Sequence, residues 1–212
     1  MLRRASVFLS ALIFLLIVGC AAVEIREDRT LTGRVVDEAG VPVANCPVLV
    51  VARSLRFKPT QLEYAKTAQQ EIRTQTDSDG RYRLDFTPST LGNNLTLFFY
   101  DRSGFDTVQY RTPESRDVTD LLRRDRVVSV DQVLLFSPTW PEIARQIAFY
   151  GAASDRGRIL RRHGLPEERG PSASAGPEAA ETWWYRAQGV SYSFSGDRLV
   201  QTQTFQPTQS TP

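Results

Sequence analysis

Lysine is almost missing from this 212-residue chain, which has only Lys58 and Lys66, and His163 is its sole histidine. Nearly all positive charge is therefore arginine, which reads as codon bias in a GC-rich genome rather than as chemistry. With two cysteines and one histidine, and with no His-Glu-x-x-His, Gly-x-Ser-x-Gly or phosphate-binding glycine loop, the sequence carries none of the usual marks of a metal, nucleophilic or nucleotide-dependent enzyme. No catalytic residue, metal site or cofactor is expected. An excess of either charge is also lacking. The 26 basic side chains face 24 acidic ones, and removal of a leader holding Arg3 and Arg4 leaves 24 of each. Nucleic acid, whose phosphates call for a basic face, is excluded on that ground. Low hydrophobicity is absent too: at 41% hydrophobic residues the chain can build a packed core.

Long apolar runs are lacking after the first twenty residues. Val7 to Val18 is apolar except for Ser10 and follows Arg3 and Arg4. Such a run is a secretory signal rather than a membrane span, which needs about 20 residues. It ends in Ile17, Val18, Gly19 and Cys20, which resemble the lipobox of bacterial lipoproteins. The resemblance implies cleavage after residue 19 and a mature N-terminal Cys20 carrying a diacylglyceryl thioether and, in many bacteria, an amide-linked acyl chain. Such chains hold a protein on a membrane at roughly 0.8 kcal/mol per buried methylene. Ala21 and Ala22, with no Asp after the cysteine, imply outer-membrane sorting, with the periplasmic or cell-surface face left open. Residues 20–27 would form the lipidated tether. Cys46 is then an odd cysteine, either buried or paired between molecules, and the apolar run that follows it favours burial.

Residues 28–137 read as short strands between turns: TLTGRVVD, PVLVVARS, EIRTQT, RYRLDF, LTLFFYD, FDTVQYRT and VVSVDQVLLF. Gln61 to Gln70 is the one stretch with a helical look, and 55–70 reads as an insertion: a lid, a helix or an interaction loop. The pattern predicts an all-β antiparallel sandwich. Gly33, Asp37, Gly40, Pro42 and Val48, then Thr76, Asp79, Gly80, Tyr82 and Leu84, resemble the carboxypeptidase regulatory-like domain, a transthyretin-like sandwich that is not catalytic. In DSDG a calcium loop is excluded because its twelfth position, counted from Asp77, is Pro88 where a Glu is needed, and the run reads as a hairpin turn.

From 138 to 206 the pattern changes. Thr139 and Glu142 form a capping-box spacing with Pro141 in the first turn, ahead of a stripe of Ile143, Ile147 and Tyr150. A second helix is predicted from a Ser154 cap to a Gly164 stop, with His163 as a partner for its negative end. A mobile loop at 167–181 leads to a three-stranded antiparallel meander, and residues 207–212 read as a disordered tail. Val190, Tyr192 and Phe194 alternate with Ser191, Ser193 and Ser195, which predicts one buried face. The expected result is a small α+β domain, two helices packed on the meander. His163-Gly164-Leu165-Pro166, Trp183 or Trp184 with Tyr185, and Phe194, Gly196 and Leu199 resemble the SmpA/OmlA or BamE-like lipoprotein module.

Trp183, Trp184 and Tyr185 form the candidate partner-binding cluster. Adjacent strand residues point to opposite faces, so one tryptophan should leave the helix-covered core unless something else covers it. Core packing and partner binding both remain open for it. The functional expectation is a non-enzymatic outer-membrane lipoprotein, anchored by its N-terminal lipid, that acts as an envelope scaffold or as an assembly or protein-interaction factor with an envelope protein partner. The alternative is a carbohydrate- or peptidoglycan-binding module.

Overall fold

The structure, a computed structural model, describes residues 27–58, 61–87, 94–101, 103–171 and 181–208. Cys20 with Ile17, Val18 and Gly19 lies outside the described residues, as do 172–180 of the expected loop and 209–212 of the expected tail. The chain is mostly β with few helices and divides into two compact units. The first comprises Met1–Val36, Val41–Gly104 and Pro113–Gln132; the second comprises Asp37–Gly40, Phe105–Thr112 and Val133–Pro212. The division is thus not a single cut at residue 137.

In the first unit, β1 (Arg29–Asp37) pairs antiparallel with β4 (Arg81–Phe86) and parallel with β7 (Val127–Ser129). A second sheet has the order β3-β2-β5-β6, formed by β2 (Pro47–Lys58), β3 (Glu63–Gln75), β5 (Asn94–Phe98) and β6 (Arg116–Asp117). Helix α1 (Thr119–Arg124) precedes β7, and β8 (Gln132–Leu134) lies where the chain passes into the second unit. Strand β4 shows why these segments fold as they do: Tyr82, Leu84 and Phe86 are buried while Arg81, Arg83 and Asp85 are exposed, the period-two pattern of a half-buried strand. From the other sheet Val48, Val50, Ala52, Leu95 and Leu97 are buried. The two sets meet at Tyr82 and Phe99, whose rings make an edge contact at 5.7 Å. Cys46 is buried and free, so its burial is decided by packing beside Phe99.

Three expectations are corrected. The β1–β7 pair is parallel, so the sheets are not wholly antiparallel. Gln61 to Gln70 is not helical. Residues 63–70 belong to β3, which pairs with β2 from Pro47–Gln75 out to Lys58–Glu63. FDTVQYRT is not a strand. Asp106 accepts hydrogen bonds from the amides of Val108 (3.1 Å) and Gln109 (2.9 Å), which curls the segment into a turn with only a single bridge, Tyr110 to Phe136.

The hairpin turn at Asp77–Gly80 is built as its sequence requires. The Asp77 carboxylate accepts from the amides of Asp79 and Arg81, and Gly80 has φ +72°. A Cβ on Gly80 would stand 2.3 Å from the Val35 carbonyl oxygen, whereas one on Gly40, also at positive φ, would meet open space. Gly40→Ala should cost about 1–2 kcal/mol, the left-handed penalty alone. Gly80→Ala should cost clearly more, since the Val35 backbone must also move; urea denaturation midpoints of the two variants check the order.

The second unit packs α2 (Trp140–Tyr150) and α3 (Asp155–His163) with a sheet of order β12-β11-β10-β9. Its strands are β9 (Glu168–Gly170), β10 (Glu181–Tyr185), β11 (Val190–Ser195) and β12 (Arg198–Thr204). Ser154 caps α3 by accepting from the Gly157 amide at 2.9 Å, and Gly164 ends it at φ +81°. The Thr139 capping box does not form: Thr139 is itself helical in backbone and shares its hydroxyl with Ser137, while Glu142 takes a bond from Gln146. The meander has four strands, not three. Gly170 lies opposite Thr182, where a Cβ would come 3.2 Å from the Trp184 ring, so glycine lets Trp184 lie over β9. Residues 168–170, expected in the mobile loop, are therefore strand.

Phe105–Thr112 joins this unit through Tyr110, stacked on Phe136 at 5.7 Å, and through Val108 against the core. That core comprises Ile143, Ile147, Ile159 and Leu160 from the helices and Trp183, Tyr185, Val190, Tyr192 and Phe194 from the sheet. The one-face alternation of β11 is also corrected, because Ser191 and Ser193 are buried as well. Ser193 shares a 2.8 Å hydrogen bond with Thr182, and Ser191 sits between the longer side chains of Trp184 and Gln203 on the flanking strands.

Candidate functional site

The strand Glu181–Tyr185 resolves the aromatic cluster. Trp183 is fully buried and Tyr185 is 1% exposed, so neither can present a surface to a partner. Only Trp184, on the opposite face, is half-buried. Both removed residues are core for a physical reason: Trp183 contacts Phe194 (4.9 Å between ring centres) and Tyr150 (5.7 Å), and the Tyr185 hydroxyl donates to the Gly164 carbonyl at 3.1 Å. Burial pushes the Tyr185 phenol well above its usual range.

Around Trp183 stands a polar centre that motif reading did not single out. Arg156, 6% exposed, has its guanidinium over the rings of Phe194 (4.4 Å), Trp183 (5.0 Å) and Tyr150 (5.1 Å). It is ion-paired to Glu181 and donates to the Gly196 carbonyl at 2.8 Å. Arg169 covers Trp183 at 4.6 Å. Burial raises the Glu181 carboxyl, but hydrogen bonding from Arg156, the nearby Trp183 indole and the charges of Arg156 and Arg169 outweigh it and hold the group below its usual value. The signal was present in spacing. Arg156 stands three and four residues before Ile159 and Leu160, on the apolar stripe of α3, where an arginine needs a partner.

His163 closes the other end of the same core. Its ring lies 5.2 Å from that of Tyr185 and 5.3 Å from that of Tyr192. The Gln188 amide nitrogen donates to the His163 carbonyl, which leaves its oxygen facing Nδ1, so Nδ1–H donates there and Nε2 pairs with the Tyr192 hydroxyl at 2.8 Å. At the N-terminal end of α3, the Asp155 carboxyl is held low by the Leu199 amide and by Arg158. These groups fasten the sheet to the helices.

Among the described residues no group of three or more His, Cys, Asp or Glu is placed to hold a metal ion. Cys46 is far from nucleophilic, since burial pushes its thiol up to about 12. Several open concavities mark the surface of the described residues. One, of about 220 Å³, lies between α2 and α3 over Trp140, Ala144 and Ile147, with Arg161 at its rim. Another in the first unit, of about 390 Å³, is bordered by Pro47, Leu49, Arg73 and Asp101, and there the Arg73 and Asp101 side chains are paired with each other. No described helix is long and apolar enough to cross a membrane.

No family model and no curated protein matches the chain. Among solved structures it is similar to a streptococcal ancillary pilin at 16% identity, covering 51% of this chain and 32% of the pilin, with a TM-score of 0.33. A 9R-lipoxygenase from Cyanothece aligns at 14% identity over 69% of this chain and 25% of the enzyme, TM-score 0.35. An alternative pilotin from the type II secretion system of Vibrio cholerae aligns at 13% identity over 52% of this chain and 98% of the pilotin, TM-score 0.26. This chain spans about a third of the pilin and a quarter of the lipoxygenase. Likenesses this slight carry no argument about activity.

Proposed function

We propose that the protein is a non-enzymatic, outer-membrane lipoprotein that serves as an envelope scaffold or as an assembly or protein-interaction factor. The observation that carries this reading is the sequence Ile17-Val18-Gly19-Cys20 at the end of the sole long apolar run, behind Arg3 and Arg4. Two further features support it. The two sheets of the first unit suit a transthyretin-like sandwich of the carboxypeptidase regulatory-like kind, a scaffold rather than a catalyst, and the helix pair on a meander in the second suits a BamE-like module. The polar side chains that acid–base chemistry would use, His163, Tyr192, Arg156 and Glu181, are bonded to one another or to backbone in ways that serve packing. Burial of Trp183 and Tyr185 withdraws two of the three candidate partner-binding residues from this reading and from the glycan-binding alternative alike, and leaves Trp184.

Cys20→Ala is the decisive change. Because the acyl chains at that residue are the proposed anchor, the variant should move from the membrane to the soluble fraction and lose incorporation of a clickable fatty acid almost completely. Equal labelling of variant and parent defeats the lipoprotein reading. Mild crosslinking of the acylated protein in its own membranes should then capture envelope proteins, while retention of the acyl-free protein on peptidoglycan would favour the glycan alternative.

A further inference from the structure

The end of the first unit nearest the proposed anchor carries exposed apolar and cationic side chains. Arg29 donates to the Leu122 carbonyl at 2.6 Å, and the Thr30 amide to the Arg126 carbonyl at 2.8 Å. The start of β1 is thereby tied to α1 and to the turn that joins α1 to β7. On these elements Leu121 is 45% exposed and Val127 64% exposed, although Leu122 beside them is fully buried. Arg123, Arg124 and Arg126 are exposed on the same short stretch. Arg123 pairs with Asp120, and Arg126 shares Glu27 with Arg29. Arg124 has no ion pair among the described residues.

Covalent geometry supplies the second observation. Glu27 lies seven residues beyond Cys20, and seven steps of no more than about 3.6 Å reach at most about 25 Å. Whatever path they take, a protein anchored at Cys20 keeps Glu27 within about 25 Å of its anchor point, so the residues bonded beside Glu27 stay within reach of the bilayer.

We infer that Leu121, Val127 and the arginines between them form a membrane-contact patch that rests the first unit on the headgroups of the bilayer in which Cys20 is anchored. This rests on the lipoprotein reading above. Leu121 and Val127 supply apolar surface to the interface, and Arg124 supplies a guanidinium matched to lipid phosphate. The carboxylates Glu27, Asp28, Asp120 and Asp125 equal in number the four arginines at 29, 123, 124 and 126. The patch is thus neutral as a whole, and its contact depends on apolar insertion and directed hydrogen bonds rather than on net charge. Raised salt should leave it in place, unlike a purely basic patch. The consequence is orientation: a unit held both by its acyl chains and by its own surface presents a fixed face to a partner.

The test uses the full acylated protein in vesicles of phosphatidylethanolamine and phosphatidylglycerol, with single-cysteine variants Leu121→Cys, Val127→Cys and Val41→Cys carrying a fluorophore. Acylated Cys20 has no thiol, and native Cys46 does not label at neutral pH because it is buried. Val41 is exposed and lies past the far end of β1, about 27 Å along the strand. Labels at 121 and 127 should be quenched severalfold more than the label at 41 by a lipid bearing a headgroup-level nitroxide, and protected from aqueous iodide. Arg124→Glu should reduce the lipid quenching at 127. If all three labels respond alike to both quenchers, the patch faces water and the inference is wrong. Protection from iodide without lipid quenching would assign the patch to a protein surface, such as a second copy, and equally overturns it. The mass of the Cys20 peptide separates the two failures. An acylated, vesicle-bound protein with aqueous labels defeats this inference alone, whereas an unacylated protein defeats the lipoprotein reading on which it stands.

Discussion

Trp183→Ala should cost about 3–5 kcal/mol of stability, the range for truncating a large buried aromatic side chain. The ring has no exposed surface, packs on Phe194 and Tyr150, and is faced by two guanidinium groups, those of Arg156 and Arg169. Its removal leaves a cavity between helices and sheet and takes away a surface on which Arg156 lies. Trp184→Ala should cost about 1 kcal/mol, in the ordinary range for a single substitution, because that ring is half-buried against Gly170. Trp183→Phe is the informative control. The buried indole Nε1 makes no hydrogen bond of full geometry and has only the nearby Glu181 carboxylate to favour, so phenylalanine loses volume and a weak polar contact, and the loss should fall well below that of alanine. Denaturant midpoints of the three variants check the order. If Trp184→Ala proves as damaging as Trp183→Ala, both rings are structural and a binding role for Trp184 is gone. If it folds normally but loses crosslinked partners, Trp184 is the aromatic residue that meets them.

Arg156→Ala is the second large effect expected, about 3 kcal/mol or more. The guanidinium is buried, paired with Glu181, bonded to the Gly196 carbonyl and stacked among three rings. Truncation leaves a carboxylate in partly apolar surroundings without its partner. Arg156→Met, which keeps the stem against the aromatic rings, should cost less when combined with Glu181→Gln than when made alone, because the pair then leaves no charge behind. The pH dependence follows from the direction of the Glu181 shift. Its carboxyl is held below its usual value in the folded chain, so the unfolded chain takes up the proton first as pH falls. The stabilisation from the pair is present above the ordinary glutamate range near pH 4.3 and is lost as pH drops through the lower folded value. Thermal midpoints of the parent should therefore fall more steeply than those of Glu181→Gln as pH drops below the ordinary glutamate range. Parallel slopes would mean that Glu181 contributes nothing to acid sensitivity.

Local chemistry determined the elements whose ends and faces are set within a few residues. Ser154 and Gly164 bound α3 because a hydroxyl at the cap and a positive φ at the stop are local requirements. Asp77 and Gly80 made their turn for the same reason, and β4 buried every second residue as its sequence alternates. The proposed lipobox is local in the same sense, since such a signal is read as a linear segment. Tertiary structure decided whatever depends on a distant neighbour. That FDTVQYRT curls and joins the second unit depends on Asp106 competing for backbone amides and on Phe136 receiving Tyr110. That Glu168–Gly170 becomes a strand depends on an edge of β10 only pairing reveals, and on the Trp184 ring needing a residue without a side chain beneath it. The alternation of β10 required Trp183 and Trp184 to face opposite ways, but which ring enters the core was fixed by Arg156 and Phe194 waiting on the helix side, from positions 27 residues earlier and 11 residues later in the chain.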